Sequence, residues 1–93
     1  MTLHQLKVFL TVAKHLNVTR AARELHVSQS AVSQELKLLQ DDHRAIFVKR
    51  RPRGIELTVD GKAFQRDVKS ILSRLHALKT RYASAVSNRR SRS

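Results

Sequence analysis

Amides and hydroxyls, not nucleophiles, are the side chains that this sequence sets at regular spacing. Gln29, Ser30, Ser33, Gln34 and Lys37 lie opposite an apolar stripe of Val32, Leu36 and Leu39, spaced i, i+4, i+7 as on one helix face. Such groups donate and accept hydrogen bonds, and a glutamine amide fits the N6 and N7 edge of adenine. Lys37 and, further along, Arg50, Arg51 and Arg53 supply positive charge suited to phosphates. Catalysis has no comparable set. The chain carries no nucleophile motif, glycine-rich phosphate loop or carboxylate pair, so an enzyme is not expected. The five histidines (His4, His15, His26, His43 and His76) include no pair at i, i+4 and no nearby cluster of carboxylates, so no metal site is expected. Cysteine is absent, which removes disulfides and thiolate metal sites. No cofactor is implied.

The stretch TRAARELHVSQSAVSQELKLL, Thr19 to Leu39, is what positions the polar row. It reads as two short helices joined by a tight turn. The first runs from about Thr19, as its cap, to His26, with Ala21, Ala22 and Leu25 inward. Small alanines there let a second helix approach closely. The turn falls at Val27–Ser28, and Ser28 is a good N-cap because its hydroxyl accepts from a free amide of the next turn. The second helix covers about 28–41. This is the layout of a helix-turn-helix, whose second helix sits in the major groove and reads base edges from its N-terminal end. An ordinary helical hairpin with a solvated polar face shares the pattern.

The flanking segments complete a small mainly α domain, 1–58. Leu3, Leu6, Phe9, Leu10 and Ala13 recur at helical spacing over residues 3 to about 15 and give a scaffold helix behind the other two. After Asp41 and Asp42 the chain turns basic: Arg44, Lys49, Arg50, Arg51 and Arg53 occur with no acid among them. Phe47–Arg50 and Ile55–Leu57 read as two short strands, with Pro52 at the second and Gly54 at the fourth position of a turn. A basic hairpin behind a helix-turn-helix is a wing. Its tip, Arg51–Arg53, suits phosphates or the narrow minor groove, where negative potential favours arginine. A solvated basic loop is the plainer alternative.

From about Asp60 to Val86 a long helix carries Phe64, Val68, Ile71, Leu75, Leu78 and Tyr82 at spacings of 4, 3, 4, 3, 4, a heptad seam that Leu72 widens. A helix of about 25 residues is roughly 38 Å long at 1.5 Å per residue, more than a three-helix core needs. Its outer part is expected to bury its stripe against a second copy, giving a twofold homodimer through residues 60–86, or against a further domain. The last residues, 87–93, have no apolar member and are expected to be a disordered basic tail.

Composition fits this plan. Ninety-three residues make one domain, and 41% apolar residues support a folded core that is mostly aliphatic, since only Phe9, Phe47, Phe64 and Tyr82 are aromatic. With 19 Lys and Arg against 7 Asp and Glu, the net charge of +12 calls for a polyanionic partner. The apolar run Val8–Ala13 is too short for a membrane span and ends at Lys14, so a cytoplasmic, nucleoid-associated protein is expected. A basic amphipathic binder of membrane surfaces is a rival, but charges around a narrow seam without tryptophan suit helix pairing better. A winged helix used as a protein–protein adaptor is another; the basic wing argues against it.

Taken together, LHQLKVFLTVAK, TRAARELHVSQSAVSQELKLL, IFVKR and LTVDGKAF resemble, in order and spacing, the N-terminal DNA-binding domain of LysR-type transcriptional regulators, from about Leu3 to Leu78. The resemblance implies a winged helix-turn-helix, a long linker helix pairing antiparallel in a dimer, and sequence-specific binding to bacterial promoters. It also implies a C-terminal effector-binding domain of periplasmic-binding-protein type. That domain would bind any small-molecule inducer, so these 93 residues are expected to be an excised fragment or a naturally shortened relative. Three positions depart from the family pattern. Ser30 and Ala31 stand where a proline is usual, Gln34 stands where arginine is frequent, and His43–Arg44 replaces Leu-Gly. Gln34 shifts the favoured base from guanine toward adenine. Arg44 sits where glycine would tolerate positive φ, and His43 replaces an apolar packing residue at the join to the wing. On this reading Gln29, Ser30, Ser33 and Gln34 read bases, and Ser28, Lys37, Arg50 and Arg51 hold phosphates. Arg53 enters the minor groove, and the DNA carries inverted half-sites.

Overall fold

The computed structural model describes the backbone of residues 1–91 and the side chains of residues 1–83. Helix α1, Leu3–His15, starts with a capping box. The Thr2 hydroxyl accepts from the Gln5 amide, and the Gln5 side chain accepts from the Thr2 amide. Helix α2 spans Val18–Leu25 and helix α3 Gln29–His43. Ser28 caps α3 as its residue type requires, its hydroxyl accepting from Ala31 N–H at 3.0 Å. The cap of α2 is Asn17 and not Thr19: the Asn17 side chain accepts from Arg20 N–H at 2.9 Å. Val18 then begins the helix because its side chain drops into the core, where it is 8% exposed.

Strands β1, Val48–Arg51, and β2, Gly54–Leu57, pair antiparallel with Val48 opposite Leu57 and Arg51 opposite Gly54. Pro52 and Arg53 form the two-residue connection. The first strand lies one residue later than its β-propensity predicts: Phe47, 4% exposed, accepts from Thr58 N–H at 3.0 Å but gives its own amide to the Gln40 side chain at 2.8 Å. Gly54 adopts φ 138°, and a methyl group there would lie 2.6 Å from the Leu16 carbonyl oxygen. Only glycine lets the hairpin come this close, and Ile55 N–H donates to that same carbonyl at 2.9 Å. Helix α4, Val59–Ser91, follows at once. Thr58 caps it, accepting from Gly61 N–H at 2.9 Å and donating to the Ile46 carbonyl. The helix continues past the Val86 boundary read from the sequence. Arginine is a good helix former, and no glycine or proline intervenes. The tail expected at 87–93 thus overlaps helical backbone as far as Ser91, and residues 92–93 lie outside the described residues.

The core gathers Val8, Phe9, Val12, Val32, Leu39 and Val68, all fully buried. Phe9 meets Phe47 and Phe64 edge-on at 5.8 and 5.1 Å, and Phe47 stacks on Phe64 at 4.2 Å. His43, at the end of α3, is exposed but lays its ring against the aromatic cluster. Its ring stands edge-on to Phe47 and Phe64, and its Nδ1–H donates to the Leu39 carbonyl at 2.8 Å. Arg44 closes α3 in the left-handed region, φ 50° and ψ 42°, so the backbone keeps the geometry that glycine would take without strain.

The apolar seam of α4 divides into two. Phe64, Val68 and Leu72, at spacings of four, turn toward α1 and the aromatic cluster, and Val68 is 0% exposed. Val68, expected at the dimer interface, is instead fully buried within one chain, and Phe64 and Leu72 are half-buried there against the core. Ile71, Leu78 and Tyr82 are exposed and Leu75 is half-buried, so the free stripe starts at Ile71, about two turns after the Phe64 at which the heptad count begins.

Two stability measurements check this packing. Arg44→Gly is expected to raise the unfolding free energy by about 1 kcal/mol, read as a higher urea midpoint at unchanged slope. Val68→Ala should cost about 2 kcal/mol at any protein concentration, whereas Leu78→Ala should leave the unfolding of dilute protein unchanged.

Candidate nucleic-acid interface

Two elements build the candidate site: the outer face of α3 and the hairpin beside it. Val32, Leu36 and Leu39 are buried, which fixes the rotation of α3 and turns the polar row outward. Gln29, Ser30, Gln34 and Lys37 are exposed, while Ser33 is half-buried toward the hairpin. The first turn of α3 has free amides and the positive end of the helix dipole, so it favours anions. Its cap, Ser28, uses an oxygen lone pair on Ala31 and keeps its O–H for a donor role. Asp41 and Asp42 stand at the opposite end of α3, away from the reading turns.

The arginines of the hairpin are not equivalent. Arg50 Nη2 donates to Ser33 Oγ at 2.9 Å, so an expected phosphate holder and an expected base reader touch each other. Arg51 Nε donates to Glu56 Oε2 at 2.7 Å across the hairpin, leaving its other N–H groups free. Arg53 projects at the exposed tip. A cleft between the hairpin and the start of α2 is lined by Asn17, Gln29, Arg50, Arg51 and Arg53, so an expected base reader and charged groups border one cleft. Two exposed acids outside the cleft, Glu24 and Asp42, are engaged with bases. Hydrogen bonds from Lys14 and then His15 hold the Glu24 carboxyl below its ordinary pKa, and one from the Met1 ammonium does the same for Asp42. Among the described residues no group of His, Asp and Glu is placed to hold a metal ion, and no helix is long and apolar enough to cross a membrane.

One residue at this site had no role in the sequence reading. Gln40 Oε1 accepts from Phe47 N–H at 2.8 Å and from Val48 N–H at 3.2 Å, joining the last turns of α3 to the start of β1. The available signal was its spacing of seven from Ser33, which places both on the hairpin side of the helix.

Residues 3–62 match the family described as bacterial regulatory helix-turn-helix protein, lysR family. The glycine cleavage system transcriptional activator of Escherichia coli (strain K12) is 44% identical over 73 residues, which make up 78% of this chain and 24% of that protein. The HTH-type transcriptional regulator TcbR of Pseudomonas sp. (strain P51) is 42% identical over 72 residues, 77% of this chain and 24% of its own length. The crystal structure of a CbnR_DBD–DNA complex superposes with a TM-score of 0.86 and 37% identity, covering 92% of this chain and 99% of that one. The chain therefore belongs to the LysR family of bacterial regulatory helix-turn-helix proteins.

Proposed function

We propose that this chain is the DNA-binding part of a transcriptional regulator, without catalytic activity, that binds duplex DNA sequence-specifically as a homodimer on the nucleoid in the cytoplasm. The observation that carries the proposal is the exposed amide and hydroxyl face of α3 set beside a basic hairpin, with Gln29 and Arg53 bordering one cleft. The N-terminal turns of α3 enter the major groove. There Gln29, Ser30, Ser33 and Gln34 face base edges, and Ser28, Lys37, Arg50 and Arg51 hold phosphates on either side. Arg53 lies in the adjacent minor groove. A relative 37% identical to this chain has been crystallised as a DNA complex, which supports the same docking.

For the dimer, the support is the stripe Ile71, Leu75, Leu78 and Tyr82, which one chain leaves without cover beyond the core. Antiparallel pairing with the same stripe of a second copy would bury it and place the two reading helices on inverted half-sites. The chain spans 24% of the length of the curated activator it matches.

The test is selection of bound duplexes from a randomised pool at about physiological salt, which suppresses non-specific attraction. Two inverted half-sites about one helical turn apart, or a multiple of it, are expected. Enrichment of single half-sites would remove the dimer, and no enrichment would remove sequence reading. Gln34→Ala should weaken binding by about 1–3 kcal/mol and relax preference at one position of each half-site. Arg53→Ala should flatten the salt dependence by roughly one counterion per half-site and lower the preference for narrow A·T-rich flanks.

A further inference from the structure

Besides the burial of Phe47 and Ile55, hydrogen bonds at three points of different character hold the hairpin to the helices. Ile55 N–H donates to the Leu16 carbonyl at 2.9 Å and fixes β2 to the end of α1. Arg50 reaches Ser33 at 2.9 Å, but both groups are polar side chains at the surface where a phosphate would compete for them. Gln40 is the third point. Its side-chain oxygen receives two successive backbone amides, from Phe47 and Val48, at the point where the chain leaves the core and becomes β1. One acceptor shared by two donors on a strand fixes the direction of the strand as well as its distance. That direction is passed outward: Val48 to Arg51 is about 10 Å of strand at 3.3 Å per residue, so a tilt at the base becomes a displacement at the tip. Gln40 and Ser33 project from the same α3 that carries Gln29 and Gln34, so the base-reading turns and the anchor of β1 move as one body.

We propose that Gln40 is the positioning residue that indexes the wing against the recognition helix, and so sets which minor-groove position Arg53 reaches relative to the bases read by Gln29 and Gln34. The inference rests on the reading given above, in which α3 and the wing both contact DNA. Gln40 contributes through the protein: its carbonyl oxygen is engaged by β1, and its substitution changes DNA contacts made by other residues.

The experiment compares the wild-type chain with Gln40→Met, which keeps the size and removes the acceptor, and Gln40→Glu, which keeps an acceptor oxygen. The probe is the duplex of inverted half-sites that the wild-type chain enriches. Hydroxyl-radical protection reports the minor groove, and guanine N7 methylation protection reports the major groove. Gln40→Met should speed deuterium exchange at the Phe47 and Val48 amides by roughly tenfold, the scale of one lost hydrogen bond. It should also shift or erase the minor-groove protection while the major-groove pattern stays in place, and Gln40→Glu should restore the wild-type footprint. Unchanged minor-groove protection in a folded Gln40→Met would overturn the proposal, even if its melting temperature fell, because the residue would then be structural only. If Gln40→Met does not fold, Gln40→Asn, which withdraws the same oxygen by one methylene, must give the displaced footprint; an undisplaced one overturns the proposal equally. Absence of any minor-groove protection in the wild-type chain would sink the wing reading itself and this inference with it, a result separate from the variant outcomes.

Discussion

Phe47 and Phe64 lie face to face, 4.2 Å apart and 7° from parallel, and the rest of the molecule is hung from that contact. Phe47 is the last residue before the hairpin, and Phe64 stands in the second turn of α4. Phe9, from the middle of α1, closes the cluster edge-on against both. A two-stranded hairpin of four residues a side is marginal by itself in water. Here it gains a root, because Phe47 is buried at its base and Ile55 is buried on its inner side. The same stack fixes where α4 begins. Gly61 must remain glycine, since any side chain there would collide with the Phe47 carbonyl.

Much of this architecture was legible in the sequence. The three-helix order, the turn at Val27–Ser28, the hairpin around Pro52 and the start of the long helix all follow from local spacing and from residues with few conformational options. What was not legible depends on partners remote in sequence. Phe64 and Val68 sit on the same heptad register as Leu75 and Leu78, and periodicity alone does not say where along a helix the core ends. The answer comes from the core itself: Phe9 of α1 meets Phe64, Val68 is fully buried, Leu72 is half-buried, and Ile71 is exposed. Asn17 and Thr19 are both capping residue types two positions apart; burial of Val18 decides between them. Gln40 carries no signal as a residue type, since glutamine on a helix is ordinary. Its role exists only once the strand amides of Phe47 and Val48 arrive beside it.

The substitution of His43–Arg44 for Leu-Gly shows how much a fold can absorb. Arg44 still adopts the left-handed conformation, so the turn is dictated by what lies on either side of it and not by the residue that occupies it. His43 keeps its ring against the aromatic cluster and satisfies a polar nitrogen on the Leu39 carbonyl, which lets a polar residue serve where packing is needed. The left-handed strain is carried without loss of the join, since Arg44 N–H still donates to the Asp41 and Gln40 carbonyls.

Helix α4 passes from the core to its free stripe without a break. Val68 is locked inside one chain and Ile71, three residues on, faces out. There is no loop between them in which an angle could relax. Each helical residue contributes about 1.5 Å of travel and 100° of rotation. The number of residues between Val68 and the outer stripe is thus a mechanical phase setting, like the keyway of a shaft. Whatever seats on Ile71, Leu78 and Tyr82 is clocked to the rest of the domain by that residue count, once the packing of Phe64 and Val68 has seated the helix.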